Sequence, residues 1–441
     1  MNESGAAQCA VRSLSTRFST ILHQSIFSGF SNPWLLLFVL NSIVIQMVLG
    51  QDVAIVRFSP IYWALVLPAL IIPCWSLRQI VSWLLGPGIL LLVFLVSAGT
   101  FQLAHGDVQA TAQLFLLVWV TAWCACESIR ATTDDLVKIF VASLFLGSIV
   151  ALFTDLNPWG FFPGDTSHDY GAWRVSFFPH IANSATLSLI TLMFLTRGSN
   201  QIRKYGVVLA LCAYFILFSF VRSVLIASAI YLSLHVIFSA IRNRTPTILF
   251  VSAVAILAGS IAIELSIAPL LEMMQYNSVV SRLFLRSATA LDLSAIGQQL
   301  YRPWLWKEHI SIFASSPHLM GLGNFRLLDH VSHNLVPGLD AAGSESFPTR
   351  LLATYGIPAV FFLAYLIREL GKLARAKDSW ACACFPAIIF MMMNWGSVFH
   401  PTNAFFVLFF ILLKGTPAVA EGLNPSDSKG PGFRSRDHDP S

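Results

Sequence analysis

The residues best able to do acid–base chemistry lie in one polar stretch, 264–349, of an otherwise apolar chain. His333-Asn334 is the strongest catalytic candidate, because the unperturbed pKa of histidine lies near neutrality and its ring can take a proton from a hydroxyl. His330, three residues earlier, is the main competitor for that role. We therefore predict a general base in this stretch, with His333 favoured.

Arginines that could hold an anion lie in the same stretch and at the head of an earlier apolar segment. Arg302 precedes a predicted helix that begins at Pro303, a favoured first-turn residue. Arg282 and Arg286 are four residues apart and would share a helical face, although either could equally be a solvated or lipid-facing charge. Arg222 separates two apolar segments, where a charge is costly unless it faces water or a partner; the alternative is snorkelling to lipid headgroups.

Three further polar positions stand at the edges of apolar segments. Arg174 and Asn183 suggest an anion site with an orienting amide, and the alternative is a juxtamembrane arginine followed by an asparagine bonded within its own helix. Glu345 could orient His333 or contact an acceptor. The segment His400-Pro401-Thr402-Asn403 either closes a cavity that these polar residues would line or simply turns the chain.

No metal or cofactor site is predicted from these residues. The spacing of the histidines fits no zinc motif, and the Cys124/Cys126 and Cys382/Cys384 pairs lie in apolar segments, where they are expected to be packed thiols. There is no P-loop or dinucleotide fingerprint. The missing nucleotide motifs argue against an ATP-driven pump, and no nucleic-acid partner is expected.

The elements that must position these residues are apolar segments of membrane-spanning type. The chain is 56% hydrophobic and 11% charged, with a mean hydropathy of +0.70, whereas soluble domains carry about 25% charged residues. A bilayer needs about 20 apolar residues per helix. The predicted spans are 33–50, 60–76, 80–101, 108–126, 136–153, 180–196, 205–220, 223–240, 247–263, 350–367, 380–399 and 402–413. We predict an all-α polytopic membrane protein of about 12 helices, with a large extracytoplasmic helical loop between the ninth and tenth.

The basic residues predict the orientation of these spans. Of the 27 Lys and Arg residues, 18 fall in one alternating set of loops and termini and nine in the other. Because cytoplasmic loops are enriched in Lys and Arg, both termini should be cytoplasmic and 264–349 should face outward. The outer set comprises Arg57, Arg174, Arg222, Arg282, Arg286, Arg302, Lys307, Arg326 and Arg350. Arginine predominates there, and its planar fork suits phosphate oxygens.

Three regions follow from this layout. Residues 1–32 form a cytoplasmic N-terminal segment, and 33–413 form one integral membrane domain that contains the 264–349 loop. Residues 414–441 form a cytoplasmic tail rich in Pro, Gly, Ser and Asp, which predicts disorder. Within the loop, Gly321-Leu322-Gly323 after Pro317 is better explained as a tight turn than as a phosphate loop.

Four features, in order, resemble the bacterial O-antigen ligase/polymerase superfamily of membrane glycosyltransferases. They are Arg174 with Phe177–Asn183, Arg222-Ser223, Arg302 with Trp306 and the run Pro317–Gly323, and His333-Asn334 followed by Leu351–Ile357. The likeness covers about residues 170–370 and the topology. One departure is Leu335-Val336-Pro337, where the family often has an aromatic residue after the His-Asn pair.

The resemblance implies a glycan donor carried on undecaprenyl diphosphate in the bacterial inner membrane. Such enzymes ligate a finished glycan to lipid A–core or polymerise repeat units, without a metal and with inversion at the anomeric carbon. Arg222 and Arg302 would stabilise the leaving diphosphate, while His333 would deprotonate the acceptor hydroxyl. The other candidates would bind substrate. A polysaccharide or lipid-intermediate flippase, and a receptor or structural protein, stay open as alternatives.

Overall fold

The computed structural model of the chain is all-helical, with no β-strand among the residues it describes. These residues are 32–49, 60–126, 131–154, 156, 158–159, 175–219, 221–240, 251, 301–323, 346–376, 378–394 and 399–414. The all-α prediction is confirmed for this part of the chain. The boundaries of the N-terminal segment and of the C-terminal tail, and most of the 264–349 loop, lie outside it and stay predictions.

The helices follow the apolar segments closely. Their bounds are Pro33–Leu49 (α1), Pro60–Ile71 (α2), Leu77–Leu84 (α3), Ile89–Ala104 (α4), Val108–Ala125 (α5), Thr133–Val150 (α6), Ile181–Leu195 (α7), Ser199–Lys204 (α8), Gly206–Phe218 (α9), Arg222–Ala240 (α10), Tyr301–Ser315 (α11), Phe347–Tyr355 (α12), Ala359–Ala376 (α13), Ser379–Asn394 (α14) and Ala404–Leu412 (α15). Short 3₁₀ turns cover Ile72–Ser76 and Pro317–Leu319.

Three helical stretches in the described ranges are long and apolar enough to cross a membrane. They are Trp63–Leu84, Val108–Ala125 and Arg222–Ala240. The first joins α2, a 3₁₀ turn and α3, so the predicted span 80–101 is wrong at its start. Its helix α4 begins only at Ile89, because Pro87 lacks an N–H donor and interrupts the ladder between two glycines. Shorter apolar helices include α1, α4, α7, α9 and α14.

Two helices form the centre of the bundle. Every residue of α15 is buried, and so is every residue of α7 after Ile181. Two hydroxyls within α7 are satisfied by its own backbone: Ser188 donates to the carbonyl of Ser184 at 2.7 Å, and Thr191 donates to the carbonyl of Leu187 at 2.8 Å. Outer helices instead expose large apolar side chains, among them Leu67, Val96, Phe145 and Val236. A helix that is apolar all round suits a lipid environment.

One end of the bundle, which we call the lysine end, is held by basic residues. Lys204 pairs with Asp134 at the start of α6, with 3.0 Å between Nζ and Oδ2. Lys414 donates to the carbonyl of Cys126, and Trp380 donates to the carbonyl of Met193 at 2.7 Å. The lysines at this end belong to the set that the sequence assigns to the cytoplasm.

The opposite end, which we call the amide end, is held by carboxamides. Gln46 near the end of α1 contacts Asn183 in the first turn of α7 and Asn403, which caps α15. Gln102 near the end of α4 donates to the carbonyl of Thr354 in α12 at 3.1 Å. All these helix termini belong to the set that the sequence assigns to the outer face. Hydrogen bonds and an ion pair therefore connect helix ends that the sequence assigns to the same face of the membrane.

Candidate functional site

Helices α11 and α12 lie side by side and run in the same direction at the amide end. His309 Nδ1 and Thr349 Oγ1 share a hydrogen bond of 2.9 Å. Beyond the end of α11, Leu322 N–H donates to the carbonyl of Ala353 at 2.9 Å, and Gly323 N–H donates to the carbonyl of Thr354 at 3.0 Å, near the end of α12. Because later residues of one segment meet later residues of the other, the arrangement is parallel.

The turn after α11 uses its glycines to reach α12. Gly321 and Gly323 have positive φ angles of 80° and 72°, which favour residues without a Cβ. Their N–H groups bond Ser316 Oγ and the Thr354 carbonyl, so those donors are not available for a phosphate. The 3₁₀ turn of this segment lies at Pro317–Leu319, just before the tight turn predicted at Gly321-Leu322-Gly323. The bond from Gly323 also satisfies a carbonyl at the end of α12 that has no partner within the helix.

The parallel packing gathers polar atoms at the start of α12. Trp306 lies one turn before His309, and Ser346 lies one turn before Thr349, so both stand at the same level of the helix pair. Within the described ranges, Trp306 Nε1, His309 Nε2 and Ser346 Oγ are buried and have no hydrogen-bond partner. Buried polar groups of this kind are uncommon in native structures. They mark this level of the bundle as a place where a ligand group or water would be stabilised.

Arg350 follows Thr349 and lines a cavity of about 60 Å³ between α12, α5 and the turn before α15. The polar residues of the lining are Gln113, Arg350, Thr354 and His400, together with the hydroxyl-bearing Tyr355. Phe347 and Phe399 supply aromatic surface. Arg350 is the one lining residue that carries a full charge at neutral pH. The cavity therefore combines a guanidinium with planar polar groups and aromatic rings.

The two histidines near Arg350 are uncharged at neutral pH. Burial, with the positive charge of Arg350 as the second cause, lowers the pKa of His309 to about 3. The same two causes, in the same order, lower the pKa of His400. His400 Nδ1 shares a hydrogen bond of 2.7 Å with Thr402 Oγ1. A neutral imidazole can accept or donate one hydrogen bond at each nitrogen, so both rings add polarity beside Arg350 without adding positive charge.

The carboxamide chain at the amide end is buried. Asn183 Nδ2 donates to Gln46 Oε1 at 2.9 Å, and Gln46 Nε2 donates to Asn403 Oδ1 at 3.3 Å and Ser42 Oγ at 3.1 Å. Among the described residues, Asn183 Oδ1 and Asn403 Nδ2 have no partner. Asn183 is only 2% exposed. Gln46 therefore ties three helices together, and Oδ1 is the side-chain atom through which Asn183 could still meet a ligand.

Arg222 is the first residue of α10 and is half-buried. The N–H of Val175, the residue that follows Arg174, donates to the carbonyl of Phe218 at 3.0 Å. This bond brings the segment after Arg174 against the segment that leads into Arg222. The two arginine motifs separated by α7–α9 therefore meet at one end of the bundle, although the Arg174 side chain itself lies outside the described residues.

Most of the loop candidates cannot be placed. Arg302 lies in the first turn of α11, which starts two residues before the predicted Pro303, but its side chain is outside the described part. The other candidates outside it are Arg282, Arg286, His330, His333, Asn334 and Glu345. Their roles stay predictions from the sequence. The structure does place α11, which follows Arg282 and Arg286 and precedes the other four, and α12, which follows all of them.

The described residues contain no cluster of three or more His, Cys, Asp and Glu side chains that could hold a metal ion. Cys124, Cys126, Cys382 and Cys384 are buried thiols, as expected for packed residues. His330 and His333 lie outside the described residues. The prediction of a metal-independent protein therefore stays a prediction.

Sequence reasoning missed Arg350 and Gln113 as cavity residues. Arg350 had been counted only among the outer basic residues, and Gln113 is one polar residue inside an apolar span. A weak signal existed for each, because a charge or an amide at the head of a membrane helix needs a partner. His400 was noted as part of a turn that either closes a cavity or reverses the chain, and the structure places it in the lining of one.

Comparison with known proteins adds no relative: no protein-family model matches this chain, and no curated protein matches it.

Proposed function

We propose that this chain is a membrane glycosyltransferase of the O-antigen ligase/polymerase type. It would transfer or polymerise undecaprenyl-diphosphate-linked glycan at the outer face of a bacterial inner membrane during the synthesis of surface polysaccharide. In this proposal about twelve spans place both termini in the cytoplasm and the 264–349 loop outside. The acceptor is a growing glycan or lipid A–core, and no cofactor is needed because the diphosphate is already an activated leaving group.

One observation carries the proposal: polar residues that are far apart in the sequence converge at the amide end. Asn183, the Val175–Phe218 contact beside Arg222, and the cavity with Arg350 and His400 are all there. Helix α11 of the loop and helix α12, which follows the loop, pack together at the same end. This convergence supports a site in which arginines hold a diphosphate and a histidine activates an acceptor.

The proposed reaction needs two kinds of group. Arg222 and Arg302 stabilise the negative charge that grows on the diphosphate as the glycosidic bond to it breaks. His333 takes the proton of the acceptor hydroxyl as its oxygen bonds the anomeric carbon. Arg174, Asn183, Asn334, Glu345, Arg282, Arg286 and His330 are proposed to bind substrate.

The distribution of buried charge favours the enzyme over a flippase. A flippase that moves a charged lipid intermediate is expected to place ionisable residues inside its spans. Among the described residues, the fully buried ones of the Asp, Glu, Lys, Arg and His types are Asp135 and His309. Asp135 belongs to the capping box at the start of α6, and His309 lies on α11. Neither is in the middle of an apolar span.

Complementation of a deletion strain tests the proposal. His333→Ala and Arg222→Ala should each abolish surface polymer at normal protein abundance, since loss of a base or of an oxyanion donor lowers rates by about 10² to 10³ or more. The exposed Arg78→Ala serves as the control and should restore polymer. Short single-repeat glycan in the deletion strain indicates a polymerase, whereas accumulated lipid-linked polymer with bare core indicates a ligase. Normal glycan with both variants would contradict the site assignment.

A further inference from the structure

The carboxamide chain at the amide end has a fixed hydrogen-bonding direction. Asn403 Oδ1 accepts the backbone N–H of Phe405 at 3.0 Å, in the first turn of α15. Because a backbone N–H can bond only the oxygen of a carboxamide, this contact decides which way the Asn403 side chain faces. The start of α15 therefore sets the orientation of Asn403 independently of the other two carboxamides.

That orientation passes to Gln46 and from there to Asn183. Gln46 approaches Asn403 Oδ1 at 3.3 Å and must present Nε2 to it, because two carbonyl oxygens cannot share a hydrogen bond. Its Oε1 then faces Asn183, which must donate through Nδ2 at 2.9 Å. This leaves Asn183 Oδ1 as an acceptor and Asn403 Nδ2 as a donor, and neither atom has a partner in the described part of the chain.

The two unpaired atoms call for a neutral group that both donates and accepts a hydrogen bond. Asn183 is 2% exposed and Asn403 is 0% exposed, and unpaired amide atoms are costly inside an apolar bundle. A cation would need several oxygen ligands and an anion several donors, whereas these carboxamides leave one acceptor and one donor. A hydroxyl group has both capacities in a single oxygen, and the enclosed position favours the smallest such group.

We propose that one hydroxyl oxygen binds here, donating to Asn183 Oδ1 and accepting from Asn403 Nδ2. It belongs either to a bound water or to a sugar hydroxyl of the glycan, and the second source rests on the proposed function, in which Asn183 binds substrate. With either source, Asn403 is a second binding residue. Gln46 is the positioning residue, because it holds the two asparagines so that one offers an acceptor and the other a donor.

A structure of the full-length protein in lipid nanodiscs, at a resolution that shows ordered water, tests the site directly. If water fills it, density should lie within about 2.7 to 3.2 Å of both Asn183 Oδ1 and Asn403 Nδ2. Asn403→Asp keeps the acceptor for Phe405 and Gln46 and turns only the free donor into an acceptor. Water has two hydrogens and can still bind both oxygens, whereas a sugar hydroxyl has one and loses a bond.

Complementation of the deletion strain separates the two sources. If a glycan hydroxyl binds, Asn403→Asp should abolish surface polymer at normal protein abundance. Asn403→Ser, which keeps an N-cap oxygen without a charge, should do the same. If water binds, the density should persist in Asn403→Asp and polymer should be made. Asn32→Asp is the matched control and should restore polymer, since Asn32 Oδ1 likewise accepts backbone N–H groups at the start of α1.

A density that bridges the two asparagines supports the inference whatever the polymer shows. Without such density, loss of polymer in both Asn403 variants supports a glycan hydroxyl, and full polymer in either variant overturns the inference. A density bonded to only one of the two atoms overturns it as well. If deletion of the gene leaves surface glycan intact, the proposed function fails and the density alone decides whether a hydroxyl binds.

Discussion

At the scale of single residues, His309 shows how burial lowers the pKa of a histidine and keeps its ring uncharged. The ring is 0% exposed, bonds Thr349 through Nδ1, and lies within the field of Arg350. Because this histidine is uncharged at neutral pH, it is suited to orienting neighbouring side chains by hydrogen bonds and not to carrying a positive charge.

Acidification should destabilise the folded protein through His309. An unfolded histidine has a pKa of about 6.5, whereas the folded pKa is about 3. As pH falls below 6.5, the unfolded chain binds a proton that the folded chain does not, so the free energy of unfolding falls by about 1.4 kcal/mol per pH unit until the folded pKa is reached.

Denaturation of the detergent-solubilised protein at pH 7 and pH 5 measures this effect. His309→Gln keeps a partner for Thr349 but cannot titrate, so it should lose about 2 kcal/mol less stability than wild type across this interval. The exposed His105→Gln is the control and should lose as much as wild type. Identical losses in wild type and His309→Gln would show that the ring is already protonated, or accessible, in the folded state.

At the scale of elements, one glycine sets how closely α6 approaches the segment before α7. A Cβ on Gly147 would overlap the carbonyl oxygen of Phe177. Phe177 in turn packs edge-on against Phe140 and Phe215. The segment that leads from Arg174 to Asn183 therefore depends on a close contact between a helix and a backbone carbonyl. This is the element that positions the Asn183 amide.

Gly147→Ala should destabilise the protein by about 1 to 3 kcal/mol, because overpacking forces the backbone of that segment to move. Gly99→Ala in α4 is the matched control, since its Cβ would meet neighbours only at 3.8 Å. That variant should be neutral, or more stable by up to about 1 kcal/mol from helix propensity. Melting temperatures in detergent measure both, and equal losses would contradict the close approach.

At the scale of the whole molecule, contacts divide the helix termini into two groups. Lys204, Asp134 and Lys414 belong to the lysine end, and Gln46 and Asn403 belong to the amide end. Positive-inside sorting assigns the same two groups to opposite faces of a membrane. The chemistry proposed for the amide end requires that this end face outward, because the lipid-linked donor is used there.

Accessibility labelling tests that orientation in intact cells. Ser278→Cys, in the predicted outer loop, should react with a membrane-impermeant maleimide, whereas Ser428→Cys in the tail should react only after the cells are permeabilised. The two variants are made in a background without Cys9 and the exposed Cys74, so that the introduced thiol dominates the signal. Labelling of Ser428→Cys alone in intact cells would reverse the topology and end the proposed function.

The sequence by itself determined which segments are helical and how their ends are assigned to two opposite faces. Apolar segments long enough for a bilayer, and the capping residues Asp107 and Thr132 at the starts of α5 and α6, are local signals, so most boundaries were predicted within a few residues. The break at 85–88 was not predicted, because a proline such as Pro87 can be tolerated or can end a helix depending on its neighbours.

Only the tertiary structure decided which polar residues meet. Gln46, Asn183 and Asn403 are separated by more than a hundred residues each and form one chain of hydrogen bonds. Arg350, Gln113 and His400 line one cavity although they come from three different elements. The periodicity of apolar residues does not predict these contacts, because they depend on which helices are neighbours and on whether those helices run parallel or antiparallel. The apolar pattern fixes that a helix is buried, but packing fixes what its few polar residues touch.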